Sequence, residues 1–193
     1  MTTIYGLTGG VGMGKSAAAD CLRARGIAVV DSDVISRQVV EPGQPALAEL
    51  RAAFGAEIIG ADGQLDRAAM ARRVFADAEA RKQLEGILHP RIRAIWQPQV
   101  VAWRAEGRPT GVAVIPLLFE IGAQAHFDRT ICVACSTASQ RERLRARGWN
   151  DEQISQRIAA QWLVEKKMAA ADYVVWAEGG LDVLAKQLKR IIP

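Results

Sequence analysis

Histidine and cysteine are scarce in this sequence, and their scarcity argues against a metal centre. Among 193 residues there are three cysteines and two histidines, His89 and His126. Cys132 and Cys135 have C-x-x-C spacing, but they lie in an apolar run typical of a buried strand, where residues three apart face opposite sides. We therefore expect neither a zinc site nor a redox motif. Since no secretion signal is visible either, we expect reduced thiols and a cytoplasmic protein.

Asparagine is scarcer still, and long apolar runs are missing. The only asparagine, Asn150, is followed by Asp151, so the N-K-x-D motif of guanine switches is absent. The longest apolar run, 112–119, is interrupted by Pro116 and is too short to span a bilayer. The net charge of +4 suits an anionic ligand but is too small to indicate nucleic acid. We expect no membrane or nucleic-acid partner, and a monomer or weak homo-oligomer.

Short apolar runs alternate with helical patterns along the chain. The runs predict five strands, at residues 3–8, 27–30, 112–116, 130–135 and 171–176. Nearly continuous apolar strands separated by helices are typical of a parallel sheet covered on both faces. We therefore predict an α/β fold, with a helix at 15–25 closed by Gly26 and a last helix at about 181–191.

Two long helical stretches interrupt this alternation. Residues 44–106 are helical in pattern, with predicted breaks at 60–63 and at Pro90. Residues 137–167 are also helical, with a break at 147–151. Thr137 with Gln140, and Asn150 with Gln153, have capping-box spacing, which predicts two successive helices there. We interpret both stretches as helical insertions over one edge of the sheet in a single domain.

Residues 9–16 match G-x-x-x-x-G-K-[ST], the pattern of a phosphate-binding loop. Glycines let backbone N–H groups turn toward phosphates, Lys15 neutralises the β/γ charge, and the Ser16 hydroxyl is a ligand for Mg²⁺. A predicted strand before and helix after favour this over a glycine turn without a ligand. Ala17 stands where many such loops carry a second hydroxyl, but its N–H can still bind the α-phosphate. The expected nucleotide-binding residues of the loop are Gly10, Gly12, Met13, Gly14, Lys15, Ser16 and Ala17.

Three acidic residues and a histidine are further candidates, and chemistry alone leaves their roles open. Asp31 and Asp33 follow the second strand, where ligands of open α/β sheets bind. Asp33 is either the base for an attacking hydroxyl or the cap of the next helix. His89, before Pro90, is either a substrate contact or a helix boundary. Glu120 is either a site carboxylate or the start of a short helix.

Four arginines alternate at positions 141, 143, 145 and 147. In a helix, Arg143 and Arg147 share one face, and Arg141 and Arg145 share another. Most such runs are solvated, but this one is poorly compensated by its single glutamate and would suit a polyphosphate. A nucleic-acid role is the other alternative, and it predicts binding with a steep salt dependence.

Together these pieces resemble the dephospho-coenzyme A kinase family over almost the whole chain. The resemblance rests on LTGGVGMGKS, VVDSDVISRQVVEPG, LHP, PLLFE, RIAAQ and ADYVV, in that order. It implies a P-loop NTPase core of the nucleotide-kinase type, a helical CoA-binding lobe and a helical lid. It also implies ATP-dependent phosphorylation of the ribose 3′-hydroxyl of dephospho-CoA, with Mg²⁺. A kinase for another small acceptor, or an ATP-sensing module without enzymatic activity, are the alternatives.

The resemblance also implies roles for individual residues. Lys15 and Ser16 take the phosphate and magnesium roles, Asp33 matches the family's general base, and Asp31 lies near the metal. Arg143 and Arg147 match lid arginines, with Arg147 in a catalytic role. On the acceptor side the resemblance places His89, Leu118 and Glu120, together with Gln161, which closes the lid segment.

The chain departs from the family pattern after the last predicted strand. Where the family has an Asp-Asn-like polar turn near the adenine, this chain has Trp176, Ala177 and Glu178. We therefore expect backbone groups to read the base, with Trp176 packing nearby.

Overall fold

The computed structural model describes residues 2–193, which form two compact units. One unit comprises residues 2–31 and 99–193, and the other comprises residues 32–98. The first unit contains five strands: β1 (Thr3–Thr8), β2 (Ala28–Asp31), β3 (Thr110–Val114), β4 (Arg129–Ala134) and β5 (Tyr173–Trp176).

Both units contain helices. In chain order they are α1 (Lys15–Arg23), α2 (Ser32–Gln38), α3 (Pro45–Phe54), α4 (Arg67–Ala76), α5 (Ala78–Ala105), α6 (Thr137–Ala146), α7 (Asp151–Ala159), α8 (Val164–Ala170) and α9 (Leu181–Ile191). Short 3₁₀ turns occupy Ala56–Ile58 and Ala123–His126. None of the helices within residues 2–193 combines the length and apolarity that a bilayer crossing requires.

The strands form one parallel sheet in the order β2-β3-β1-β4-β5. In the central strand, Tyr5 is in register with Val112 of β3 and with Arg129 of β4. This confirms the predicted α/β class and five-stranded parallel sheet. The chain lies on one side of β1 for β2 and β3, then crosses to the other side for β4 and β5. The carboxyl end of β1 is therefore the switch point at which open α/β sheets bind ligands.

The core of the first unit lies between the sheet and a pair of helices, α1 and α9. Leu22 of α1 and Leu188 of α9 are fully buried with Leu7 and Ile131 of the sheet. Burial of large aliphatic side chains of this kind contributes roughly 1.5–3 kcal/mol each. The helix that follows the phosphate loop is thus fixed by its apolar face, which leaves its first turn at the edge of the sheet.

The carboxyl-terminal part of α5 packs tightly against β3. Trp103 is only 4% exposed, and a Cβ atom at Gly111 would lie 2.3 Å from its ring atom Cε3. Glycine at position 111 therefore lets the indole lie directly on the strand backbone.

The predicted helix break at Pro90 is wrong. Helix α5 is continuous over 28 residues, with Pro90 and Pro98 inside it. Proline in a helix interior removes one backbone hydrogen bond and normally kinks or ends the helix. Here the Arg91 guanidinium donates to the Ile87 carbonyl at 2.6 Å, so a side chain hydrogen-bonds to the backbone beside the proline. His89 consequently lies within a helix and does not mark its end.

Of the two predicted capping boxes, one is correct. Asn150 caps α7, and the reciprocal bond from its N–H to Gln153 is present. At α6 the prediction is wrong, because Ser136 is the cap and accepts from Ser139 N–H, while Thr137 is the first helical residue. The side chain of Gln140 is therefore not used for capping.

We predict that Gly111→Ala lowers the free energy of unfolding by about 1–3 kcal/mol, the usual cost of overpacking. The new methyl group would overlap the buried Trp103 ring, which must shift. Urea unfolding, monitored by circular dichroism, measures the change.

The matched control is Gly86→Ala in α5, where a Cβ atom meets nothing within 4 Å. In a helix this change stabilises by roughly 0.5–1 kcal/mol. Equal unfolding midpoints for Gly111→Ala and the wild-type protein would contradict the packing described for Trp103.

Candidate active site

The phosphate loop connects the end of β1 to the first turn of α1. The Lys15 ammonium Nζ donates to the carbonyls of Gly9 and Gly10, each at 2.9 Å. A Cβ atom at Gly9 would lie 2.3 Å from the Val133 carbonyl oxygen, so only glycine fits where the loop passes β4. Gly14 is the N-cap of α1 with φ 98°, a left-handed conformation that glycine adopts without strain. The loop therefore leads directly into a helix N-terminus, which favours anions.

Two other residues of this region differ in burial, since Met13 is buried and Ser16 is exposed. Met13 is 2% exposed, and its sulfur accepts from the Cys135 N–H at 3.2 Å. Ser16 is exposed in the first turn of α1, and Ala17 is half-buried beside it. Met13 thus ties the loop to the end of β4, and the Ser16 hydroxyl remains at the surface.

Arg143 of α6 lies beside the start of α1. Its Nη2 donates to the Ala177 carbonyl at 2.5 Å, and a Cβ atom at Gly14 would lie 3.6 Å from its Nη1. This guanidinium therefore adds positive charge next to the helix N-terminus.

The remaining arginines separate as their spacing predicts. Arg141 and Arg145, on one face, lie 3.7 and 2.8 Å from the Asp151 carboxylate. Arg147 ends α6 and is exposed. Arg141 and Arg145 thus form ion pairs at the surface, whereas Arg143 adds positive charge at the phosphate loop.

The residues after β5 join the sheet to α6. The Glu178 carboxylate accepts from the Ser136 N–H and the Ser139 hydroxyl, and the bond from the Ser136 backbone lowers the pKa of Glu178. The backbone N–H and carbonyl of Trp176 are both bonded to the Gln187 side chain, and the indole is 45% exposed. Glu178 therefore braces the amino-terminal end of α6.

A buried ion pair lies behind the loop. The Lys167 ammonium is fully buried, 2.7 Å from Glu120 Oε1 and 2.6 Å from the Pro116 carbonyl. The Thr8 hydroxyl, at the end of β1, donates to the same carbonyl at 3.0 Å. Glu120 Oε1 also accepts from the Trp162 N–H at 2.9 Å. Glu120 thus lies in a turn, and it connects the segment after α7 to the end of the sheet.

Both strand cysteines are buried, and all three cysteines are free. Burial raises the pKa of the Cys132 thiol to about 11, against the opposing effect of the Lys167 and Lys15 charges. A thiol with this pKa stays protonated at neutral pH and is a poor nucleophile. Within residues 2–193 no three His, Cys, Asp or Glu side chains form a group suited to a metal ion.

The two aspartates after β2 differ in position. Asp31 ends β2, with its carboxylate 4.0 Å from the Arg23 guanidinium. Asp33 is exposed and is the second residue of α2, which begins at Ser32. Helix α2 thus begins before Asp33 rather than after it.

Three residues predicted on the acceptor side have distinct surroundings. His89 is half-buried in α5, and burial lowers its pKa, against the effect of Glu85, so the ring is neutral at pH 7. Leu118 is fully buried, with its Cδ1 3.2 Å from where a Cβ atom at Gly6 would lie. Gln161 Oε1 accepts from the Val11 N–H at 3.0 Å, so this side chain contacts the loop.

Sequence reasoning missed two polar residues of this site. Gln140 is buried and donates through Nε2 to the Val11 carbonyl at 2.7 Å, but its spacing from Thr137 suggested a capping role instead. Lys167 lies in an E-K-K run and was not singled out. Its spacing of three residues from Val164 was the available signal, since residues three apart share a helix face.

Comparison with known proteins identifies the family. The family model described as dephospho-CoA kinase matches residues 3–182. A dephospho-CoA kinase from Anaeromyxobacter dehalogenans is 44% identical over 190 residues, which are 98% of this chain and 90% of that protein. One from Corynebacterium glutamicum is 40% identical over 97% of this chain and 96% of its own length.

Solved structures agree on the fold. A Thermus thermophilus protein superposes with TM-score 0.81 at 34% identity, covering 99% of this chain and 96% of its own. A dephospho-CoA kinase from Campylobacter jejuni gives TM-score 0.70 at 22% identity, with 100% and 96% covered. Shikimate kinase from Bacteroides thetaiotaomicron gives 0.51 at 16%, with 98% of both chains covered. The last two are similar in fold, and they confirm the predicted P-loop kinase architecture.

We predict that Glu120→Gln lowers the free energy of unfolding by about 3–5 kcal/mol, because it leaves the buried Lys167 charge without a counter-ion. The glutamine can still accept from the Trp162 N–H, so size and that hydrogen bond are kept. Adding Lys167→Met should recover part of the loss, and chemical unfolding of both single variants and the double variant measures this coupling.

The matched control is Glu57→Gln, which removes an exposed partner of Arg73 and should change stability by less than about 1 kcal/mol. If the two single losses at Glu120 and Lys167 were simply additive, the buried pair would not be an energetic unit.

Proposed function

This chain belongs to the dephospho-CoA kinase family, and from that membership and its site geometry we propose that it transfers the γ-phosphoryl group of ATP to dephospho-CoA. The acceptor is the ribose 3′-hydroxyl, and the products are coenzyme A and ADP. The observation that carries this proposal is the phosphate loop, in which Lys15 lies over Gly9 and Gly10 at the N-terminus of α1. Phosphoryl transfer needs chiefly positioning and neutralisation of charge, and these groups supply both.

We assign the general base to Asp33. Its carboxylate is exposed in the first turn of α2, two residues beyond the end of β2. The proton of the 3′-hydroxyl must leave as the oxygen bonds to phosphorus, and a positioned carboxylate accepts it. The resemblance of the segment VVDSDVISR to the family supports the same assignment.

Charge on the transferring phosphoryl group is neutralised by Lys15, Arg143 and Arg147. Arg143 is already held beside Gly14 through its bond to the Ala177 carbonyl. Arg147 is exposed at the carboxyl-terminal cap of α6, and its role follows from the resemblance of this arginine to those of the family. The adenine is read by backbone groups near Ala177, since the Glu178 carboxylate is bonded to Ser136 and Ser139.

Mg²⁺ accompanies the ATP and would be held by Ser16 and Asp31. Ser16, directly after Lys15, is exposed. Asp31 is the last residue of β2, and its carboxylate lies 4.0 Å from the Arg23 guanidinium. Since residues 2–193 present no cluster of three ligand side chains, the remaining ligands come from phosphate oxygens and water. Such a shared ligand set is usual for Mg²⁺, which neutralises the phosphates when bound.

The family resemblance assigns the acceptor to the helical segment 44–106 and, separately, to residues of the turn after β3. His89 is neutral and half-buried, so it can exchange hydrogen bonds with a pantetheine or ribose group. Glu120 fixes the turn after β3 through its bonds to Lys167 and the Trp162 N–H, and the family resemblance places it on the acceptor side. Leu118 supports this turn from the core. We expect the enzyme to act in the cytoplasm as a monomer or weak homo-oligomer.

The test is ADP release from ATP and Mg²⁺ with dephospho-CoA, a nucleoside monophosphate or a small polyol, and without an acceptor. We predict that dephospho-CoA alone stimulates turnover strongly. Lys15→Ala should lower kcat by on the order of 10²–10³, the effect of losing one charge-stabilising donor.

Each rival function gives a different result in this assay. Stimulation by another acceptor would indicate a different kinase of the same fold. Tight ATP binding without any acceptor-dependent turnover would indicate a nucleotide sensor. Near-normal turnover in a folded Lys15→Ala variant would contradict the role given to the loop.

A further inference from the structure

Val11, in the middle of the phosphate loop, is held by two glutamine side chains. Its N–H donates to Gln161 Oε1 at 3.0 Å, and its carbonyl accepts from Gln140 Nε2 at 2.7 Å. Both polar backbone groups of Val11 are therefore bonded to side chains. The two glutamines lie at opposite ends of the lid segment, Gln140 in the first turn of α6 and Gln161 just after α7.

Gln140 is built into the contact between α6 and the loop. It is 5% exposed, and its Nε2 lies 3.5 Å from where a Cβ atom at Gly10 would be. A Cβ atom at Gly12 would lie 2.8 Å from Leu144 Cγ and 3.2 Å from the Gln140 carbonyl oxygen. The amino-terminal half of α6 thus lies directly on the loop, on both sides of Val11.

Gln161 is fixed by its neighbour in the chain. The Trp162 N–H donates to Glu120, whose carboxylate is paired with the buried Lys167. The Trp162 ring stacks on Phe119 with centroids 6.3 Å apart, and the Lys166 ammonium lies 3.4 Å from its centroid. These contacts hold the backbone at 161–162 at a set distance from the sheet, so the Gln161 side chain is directed at Val11.

We propose that Gln140 and Gln161 are positioning residues, which hold the loop in the conformation that binds ATP by fixing the two sides of the Val11 residue. They do not need to contact the nucleotide. A loop whose backbone is already fixed loses less conformational entropy when the phosphates bind, so its affinity for ATP is higher. By linkage, bound ATP must strengthen the hold of the loop on the lid segment by the same factor.

The two hydrogen bonds have opposite polarity, and this provides a sharp test. The Val11 N–H needs an acceptor, which Gln161→Glu retains in full and Gln161→Met offers only as a weakly accepting thioether sulfur. The Val11 carbonyl needs a donor, which Gln140→Met and Gln140→Glu both lack, and the carboxylate would also repel the carbonyl oxygen. Each glutamate variant adds one negative charge near the loop, so an effect of charge alone would be the same at both positions.

We predict that Gln161→Met weakens ATP binding about three- to tenfold, the loss expected for one hydrogen bond. Gln161→Glu should bind ATP better than Gln161→Met, whereas Gln140→Glu should bind it worse than Gln140→Met. The Kd for ATP is measured by titration calorimetry and the KM for dephospho-CoA by ADP release. If Gln161 bound the acceptor instead, as the resemblance implies, its variants would raise the KM for dephospho-CoA more than the Kd for ATP, which would contradict the proposal.

Thermal unfolding of every variant supplies the control for stability. A variant that is partly unfolded has fewer binding sites, but the Kd of the folded molecules is unchanged. Two other results would overturn the proposal. One is that the glutamate variants at both positions bind ATP better than the corresponding methionine variants, or that both bind it worse. The other is that the methionine variants unfold earlier while their Kd for ATP equals that of the wild-type protein. The second result would give the glutamines a purely structural role.

Discussion

The close passage of the loop backbone past the end of the sheet is the constraint on which the rest of the site depends. Gly9 passes so near the Val133 carbonyl that no Cβ atom fits there. This passage turns the chain from β1 into α1, with Lys15 over the turn and the helix N-terminus behind it. An anion is favoured at such a place because backbone N–H groups and the helix dipole act together.

The surrounding elements place charge and rigid support around that turn. Since β1 is flanked by β3 and β4, residues following three strands converge near its carboxyl end. After β5, which pairs with β4, Ala177 fixes the Arg143 guanidinium beside Gly14. After β3, Glu120 pairs with Lys167 in the interior. A buried pair contributes little net stability compared with an apolar one, so its value here is that it fixes the chain after α7.

The sequence allowed the sheet and the loop to be predicted because their signals are local. Continuous apolar runs identify buried strands, and the glycines, lysine and serine of the loop must stand at fixed spacing. The helix through Pro90 could not be predicted, because proline locally favours a break or kink, whereas the structure continues the helix across it. Tertiary packing commonly overrides such preferences.

The missed site residues depend on contacts between distant parts of the chain. Gln140 and Val11 are 129 positions apart, and nothing near Gln140 in sequence reveals that its amide reaches the loop. Asp33 is a candidate from sequence because of its place after a strand, but the sequence does not show whether α2 begins before or after it. The observed start of α2 at Ser32 is two residues earlier than a helix capped by Asp33 would begin, and such a difference is within the usual error of helix boundaries predicted from sequence.

The central claim is that the phosphoryl group passes to a hydroxyl whose proton is taken by Asp33. The most direct test is the kcat of Asp33→Asn, with Asp182→Asn as the matched control. Asp182 is also an exposed second residue of a helix, α9, and its carboxylate is 3.4 Å from Lys186. We predict that Asp33→Asn lowers kcat by about 10²–10⁴, the usual effect of removing a general base. The Kd for ATP and the unfolding temperature should change little, and Asp182→Asn should retain its activity. An Asp33→Asn enzyme that keeps more than about a tenth of the wild-type kcat, well above the range expected for loss of a base, would contradict the account.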